Sequence, residues 1–101
     1  MPTRLIWRDA AEQHLQAIYD YISADSPRAA KAYVEDIVDA CGQLRAFPAL
    51  GKKYDSRYRL LIVRNHLVFY RQDTEATIIV AIIDGRRDVA AVLDDLGDTS
   101  V

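Results

Sequence analysis

Residues 9–44, DAAEQHLQAIYDYISADSPRAAKAYVEDIVDACGQL, decide the fold. Ala11, Leu15, Ile18 and Ile22 recur at spacings of four, three and four, which lays one apolar stripe along one face of a helix. Ala30, Val34, Ile37, Cys41 and Leu44 repeat the pattern at four, three, four and three. Between the stripes stands Ser26-Pro27, with Ser suited to cap a helix and Pro to its first position. At the front, Asp9 is expected to cap the first helix, with Glu12 three positions on as in a capping box. Pro48 bounds the second helix. Two similar stripes joined by a short connection predict an antiparallel helical hairpin.

Outward from the hairpin the period becomes that of strands. Thr3 to Trp7 reads as a short strand before the first helix. Pro48, Gly51 and Lys52-Lys53 mark a connecting loop. Tyr58 to Arg64 and His66 to Arg71 are separated only at Asn65, which predicts a tight hairpin with Asn in the left-handed turn conformation. Ala76 to Ile83 is apolar almost throughout, so this strand is expected to be central and covered on both faces. Asp84-Gly85-Arg86-Arg87-Asp88 breaks the sheet, with Gly85 allowing a sharp turn and Asp88 capping a short helix through Val89, Val92, Leu93 and Leu96 that Gly97 ends. The order is β-α-α-β-β-β-(α), an α+β layer with the helical hairpin packed on a small, largely antiparallel four-stranded sheet. Periodicity does not say which strand the first one joins. One domain is expected over residues 1–97, with a flexible tail at 98–101. Ile37 and Ile79 should be buried.

A chain of 101 residues, half of them hydrophobic, builds one core and has little room for a deep enclosed cavity, which favours function at a surface. Cys41 is the single cysteine, so no disulfide framework exists and a reducing, cytoplasmic setting fits. The longest aliphatic run, Ile78 to Ile83, is far short of the roughly 20 residues of a membrane span. The net charge of -2 is unevenly distributed: residues 9–50 carry -4, whereas 51–71 carry +5, from Lys52, Lys53, Arg57, Arg59, Arg64 and Arg71 against Asp55. A chain of this acidity is not expected to be a general nucleic-acid binder, but a focused basic surface can still engage phosphate or an acidic partner.

No conventional catalytic motif stands out. His14, His66 and Cys41 fall on three different elements, so no metal-ligand cluster is expected, and no cofactor. Cys41 reads as a small core residue, and the two histidines as surface residues. Gly51 and Gly85 are isolated, without a phosphate-cradling pattern. Tyr19, Tyr21 and Tyr33 flank the helix stripes and read as core-edge residues. What remains is an arginine-rich second half containing Arg57-Tyr58-Arg59, Arg64, Phe69-Tyr70-Arg71 and Arg86-Arg87.

Those residues complete a pattern. Asp9-Ala10-Ala11, Leu15, Ile18 and Tyr21-Ile22, then Phe47-Pro48-Ala49-Leu50-Gly51, Leu67-Val68-Phe69-Tyr70-Arg71 and Asp84-Gly85-Arg86-Arg87-Asp88, in this order, resemble the RelE/ParE superfamily of type II toxins over about 95 residues. The resemblance implies the RelE/ParE toxin fold and a bacterial cytoplasmic toxin silenced by a cognate antitoxin. It further implies that the antitoxin wraps the exposed apolar residues and basic edge as a helix plus extended chain, in a hetero-oligomeric complex.

The superfamily divides by target. RelE-like members cleave messenger RNA in the ribosome, and ParE-like members poison DNA gyrase. RNA cleavage needs a group to activate the 2′-hydroxyl, cations for the developing charge and an acid for the leaving oxygen. RelE-like toxins place an arginine in the strand at Leu67–Tyr70 and a tyrosine or histidine after the last strand. This chain has Leu67 and Leu93 there, and no His or Tyr follows Arg71. The ending resembles ParE, which implies a gyrase-binding poison rather than an enzyme, with no direct sequence-specific nucleic-acid binding. The expected target-binding set is Arg57, Arg59, Arg64, Arg71, Arg86 and Arg87. The alternatives are a ribosome-dependent endoribonuclease using Arg64, His66 and Arg71, and a non-toxic partner in a regulatory complex.

Overall fold

The computed structural model describes residues 3–97, so the expected tail at 98–101 lies outside the described residues. In chain order the elements are β1 (Arg4–Trp7), α1 (Asp9–Ser23), α2 (Pro27–Gly42), a 3-10 turn (Gln43–Arg45), β2 (Lys52–Lys53), β3 (Arg59–Val63), β4 (His66–Gln72), β5 (Ala76–Asp84) and α3 (Val89–Asp95). The start of α2 follows expectation: Ser26 Oγ accepts from the Ala29 amide at 3.1 Å and Pro27 is the first helical residue. The start of α1 does not. Arg8, not Asp9, holds the cap position, because its amide still donates to Ile79 O at 3.0 Å and the sheet thus keeps residue 8 extended. Asp9 and Glu12 lie in the first turn, where carboxylates favour the positive helix end.

The sheet has five strands in the order β1-β5-β4-β3-β2, one more than expected. The addition is β2, two residues that pair Lys52 with Leu60 and Lys53 with Arg59 in the stretch expected as loop. Two residues are too few for an alternation to register. β1 pairs in parallel with β5, from Arg4↔Ala76 to Trp7↔Ile79, and every other pair is antiparallel.

The helical hairpin covers one face of the sheet. Ala11, Tyr33, Ile37, Cys41 and Leu44 pack there on Val68, Tyr70, Ile79 and Ile82. In α2 the buried position between Ala30 and Ile37 is Tyr33 rather than the expected Val34, since the Tyr33 hydroxyl finds the Asn65 amide and His66 at the sheet end. The other face, with Phe69, Ile78, Val80, Ala81 and Ile83, is covered by Leu93 of α3 and by Tyr58. β5 is buried from Ala76 to Ile83, as its apolar run predicts. Its alternation is broken by a bulge: Phe69 pairs with Ala81 and Tyr70 with Ile79, leaving Val80 unpaired. Beyond the bulge the facing shifts by one residue, so Ile79 and Ile82 both reach the helix side.

The β3–β4 turn contains another departure. Arg64, not Asn65, is the left-handed residue, with φ 52°. A non-glycine residue there costs on the order of 1 kcal/mol. Its side chain lands on Asp36 of α2, with Nε at 2.8 Å and Nη2 at 2.6 Å from Oδ2, and lies 4.9 Å from the Tyr33 ring centre. At the far end of β5, Asp88 caps α3 by accepting from the Ala91 amide at 3.2 Å, and Gly97 takes φ 60° after its last turn, both as expected. Gly85 is not a steric necessity: an added Cβ would meet only Asn65 O at 3.5 Å.

Candidate functional site

The six arginines expected as one surface fall at two ends of the β3–β4 hairpin. Arg59 pairs with Tyr70 at one end and Val63 with His66 at the other. Four residue steps separate those pairs, roughly 13 Å at about 3.3 Å per residue.

At the first end, Lys53, Arg57, Arg59 and Arg71 line a groove of about 290 Å³ together with Asp55, Tyr58 and Tyr70. Local structure fixes it. Asp55 Oδ1 accepts from the amides of Arg57 and Tyr58, each at 2.8 Å, and so shapes the 55–58 turn. Arg59 Nη1 donates to Gly51 O at 2.8 Å, and the Gly51 amide donates to the Tyr70 hydroxyl at 2.9 Å. Tyr70 is fully buried; burial pushes its hydroxyl up, with the Gly51 amide and Arg59 opposing. The Arg57 guanidinium lies 5.4 Å from the Tyr58 ring centre. Neither histidine lines this groove.

At the second end, α1, α2 and the sheet enclose a larger groove of about 460 Å³, lined by Ile18, Tyr21, Ile22, Tyr33, His66 and Arg86 among others. Tyr21, expected at the core edge, is 84% exposed. Arg86 is held by Asp84: Nε donates to Oδ1 at 3.0 Å, Nη2 to Oδ2 at 2.8 Å, and its amide to Oδ1 at 2.9 Å. These bonds hold the Asp84 carboxyl well below the usual carboxylate range. Arg86 thus braces Asp84, while Arg87 is exposed and has no carboxylate partner among the described residues.

The residues of the nuclease alternative are not assembled. His66 shares the helix-side face of β4 with Val68 and Tyr70, whereas Arg71 is on the opposite face, five steps or roughly 17 Å along the strand. Arg64 is near His66 but is engaged by Asp36.

Both histidines are half-buried and bonded, a correction to their expected place at the surface. His14 Nδ1 accepts from the Ile82 amide at 3.1 Å, past the last β1–β5 pair at Ile79. His66 Nδ1 is 2.6 Å from the Tyr33 hydroxyl, which accepts from the Asn65 amide and so has its own proton to give. Burial lowers the pKa of both rings; Arg87 adds to this at His14, while at His66 the opposing pull of Asp84 is followed by a lowering from Arg86. The unfolded chain therefore binds more protons than the folded one just below the ordinary histidine value of about 6.5. Stability contributed by these rings is complete above that pH and is lost as pH falls through the folded values. The thermal midpoint is expected to fall between pH 7.5 and 5.5, and the double variant His14→Gln, His66→Gln to flatten that slope. A slope unchanged in the double variant contradicts the assignment.

Cys41 is buried and its thiol is pushed up to about 12, which suits packing rather than nucleophilic chemistry. Among the described residues no group of three His, Cys, Asp or Glu is placed to hold a metal ion, and no helix is long and apolar enough to cross a membrane.

Comparison with known proteins agrees with the architecture. A family model described as the ParE toxin of the type II toxin–antitoxin system parDE matches residues 5–89. The protein named Toxin ParE1 from Mycobacterium tuberculosis, in strains CDC 1551 / Oshkosh and H37Rv, is 32% identical over 97 residues, covering 88% of this chain and 96% of the relative. A solved structure described as the chromosomal ParDE TA system from P. aeruginosa superimposes with a TM-score of 0.72 at 26% identity, covering 81% of this chain and 95% of that one.

Proposed function

The chain belongs to the ParE toxin family of type II toxin–antitoxin systems, and on that premise we propose that it poisons DNA gyrase in the bacterial cytoplasm by binding, and that a cognate antitoxin silences it. The observation that carries the binding mode is the separation of groups that RNA cleavage would need together. His66, the one imidazole on the sheet, is tied to Tyr33 at one end, and the densest cation cluster is at the other. The cations beside His66 are each held by a carboxylate, Arg64 by Asp36 and Arg86 by Asp84. A binding poison needs no such assembly.

The target-facing residues of this reading are Arg64, Arg86 and Arg87 at the second end; Arg57, Arg59 and Arg71, expected in the same set, are at the first end and are left out of this contact. The antitoxin is assigned the apolar groove at the second end. Ile18, Tyr21 and Ile22 offer an amphipathic segment a landing face, and Arg86 at the rim suits an acidic residue beside the apolar anchor. Arg87 is the discriminating position. In a cleavage assay with purified gyrase and plasmid DNA, the wild-type protein is expected to accumulate cleaved DNA. Arg87→Glu should abolish that activity with an unchanged thermal midpoint, because a reversed charge at a contact costs more than a lost one, and His66→Ala should retain it. A folded His66→Ala protein that loses toxicity, beside a fully active Arg87→Glu, would transfer support to the ribonuclease alternative.

A further inference from the structure

The groove at the first end has a composition that a protein contact does not explain. Its cations come from four separate places: Lys53 from β2, Arg57 from the 55–58 turn, Arg59 from β3 and Arg71 from β4. Among the described residues of the lining the carboxylate is Asp55, whose Oδ1 accepts two backbone amides and so fixes the turn that carries Arg57. The two tyrosines there are 7% and 0% exposed, so neither Tyr58 nor Tyr70 offers a partner an apolar anchor. Protein interfaces centre on such anchors, and this groove has none to present. At about 290 Å³ it lies at the small end of ligand pockets, and it lacks the apolar lining that holds a drug-sized molecule or a free base. Cations with polar neighbours Ser56 and Gln72, fixed on strands and a turn, match the acceptors of a phosphate backbone instead.

We propose that the groove formed by Lys53, Arg57, Arg59 and Arg71 binds the phosphodiester backbone of a nucleic-acid duplex without reading its sequence. Contacts to phosphate oxygens carry no sequence information, so affinity comes from counterion release. It also lies in the positive 51–71 segment of an otherwise acidic chain, which favours the approach of a polyanion at this end. Arg59 is braced by Gly51 O and acts as the fixed reference of the site; Arg57 is the exposed contact. This inference goes beyond the gyrase reading and stands without it, because it concerns binding by the isolated protein.

The test is fluorescence anisotropy of the full-length chain with a labelled 16-base-pair DNA duplex, in two unrelated sequences, at 50 and 200 mM NaCl. Three to four phosphate contacts imply a log–log salt slope of about -2.7 to -3.6, a loss of about 40- to 150-fold over that range. The two sequences should bind alike. Arg57→Ala and Arg71→Ala should each reduce the slope by about 1, whereas Arg28→Ala, exposed in the first turn of α2, should leave it unchanged. Should Arg71→Ala disturb β4, the exposed Arg57 variant alone decides. Absence of duplex binding at 50 mM salt overturns the proposal, as does a slope that Arg57→Ala does not change. AMP and inorganic phosphate form the second arm: either one bound as tightly as the duplex would make the groove a small-anion site and overturn the backbone assignment.

Discussion

Replacing Gly51 by alanine is expected to destabilise the fold by about 3–4 kcal/mol, a large share of the roughly 5–15 kcal/mol a domain of this size possesses. A Cβ at Gly51 would stand 2.5 Å from Leu60 O and 2.8 Å from both Cε1 and Oη of Tyr70. The obstacles are a backbone carbonyl and a fully buried ring, so neither has an easy way to yield. Relief by shifting the loop would break the Gly51 amide bond to Tyr70 and the bond from Arg59 to Gly51 O. This explains in steric terms why the Phe47-Pro48-Ala49-Leu50-Gly51 stretch ends in glycine. The internal control is Gly42, the last residue of α2, where an added Cβ has nothing within 4 Å. Gly42→Ala is expected to stabilise by about 0.5–1 kcal/mol. Urea denaturation of both variants reads the contrast, and a Gly51→Ala midpoint equal to wild type would show that the strand–loop contact is looser than described.

Truncating Ile37 to alanine is expected to cost about 2–5 kcal/mol. Ile37 is fully buried in the middle of α2, in one cluster with Tyr33, Cys41, Leu44, Val68, Tyr70 and Ile79. The loss combines transfer of the removed methyl groups with the cavity they leave, and a helix packed on a sheet closes such a cavity only in part. Ile37→Val should cost about 0.5–1.5 kcal/mol in the same experiment. A wild-type midpoint for Ile37→Ala would mean that α2 turns a different face to the sheet.

Much of this core is legible in the sequence because helices carry their facing in the period. Ala11, Ala30, Ile37, Cys41 and Leu44 follow from spacing alone, and Ser26-Pro27 marks its boundary without tertiary help. The misread details depend on distant partners. Arg8 takes the cap position because Ile79 claims its amide, and Tyr33 replaces Val34 because Asn65 and His66 wait at the end of the sheet. Arg64 adopts the left-handed turn conformation over Asn65 with Asp36 and Tyr33 as its anchors. The parallel seat of β1 beside β5 is likewise a contact across some 70 residues, on which local pattern is silent.

The candidate site was legible as residue types and not as geometry. Charge arithmetic finds the basic 51–71 segment, but only the extended β3–β4 hairpin separates Arg59 and Arg71 from Arg64 and His66. The roles of the histidines were missed. The amide that His14 accepts belongs to Ile82, beyond a bulge that apolar composition does not announce.

The most direct measurement is to express the chain without antitoxin in a bacterial host and to follow chromosomal double-strand breaks and supercoiling beside transcriptome-wide message cleavage. The binding-poison account expects double-strand breaks and altered supercoiling while messages remain intact. Codon-placed cuts in messenger RNA with normal supercoiling would contradict it, and so would undisturbed growth with folded protein present.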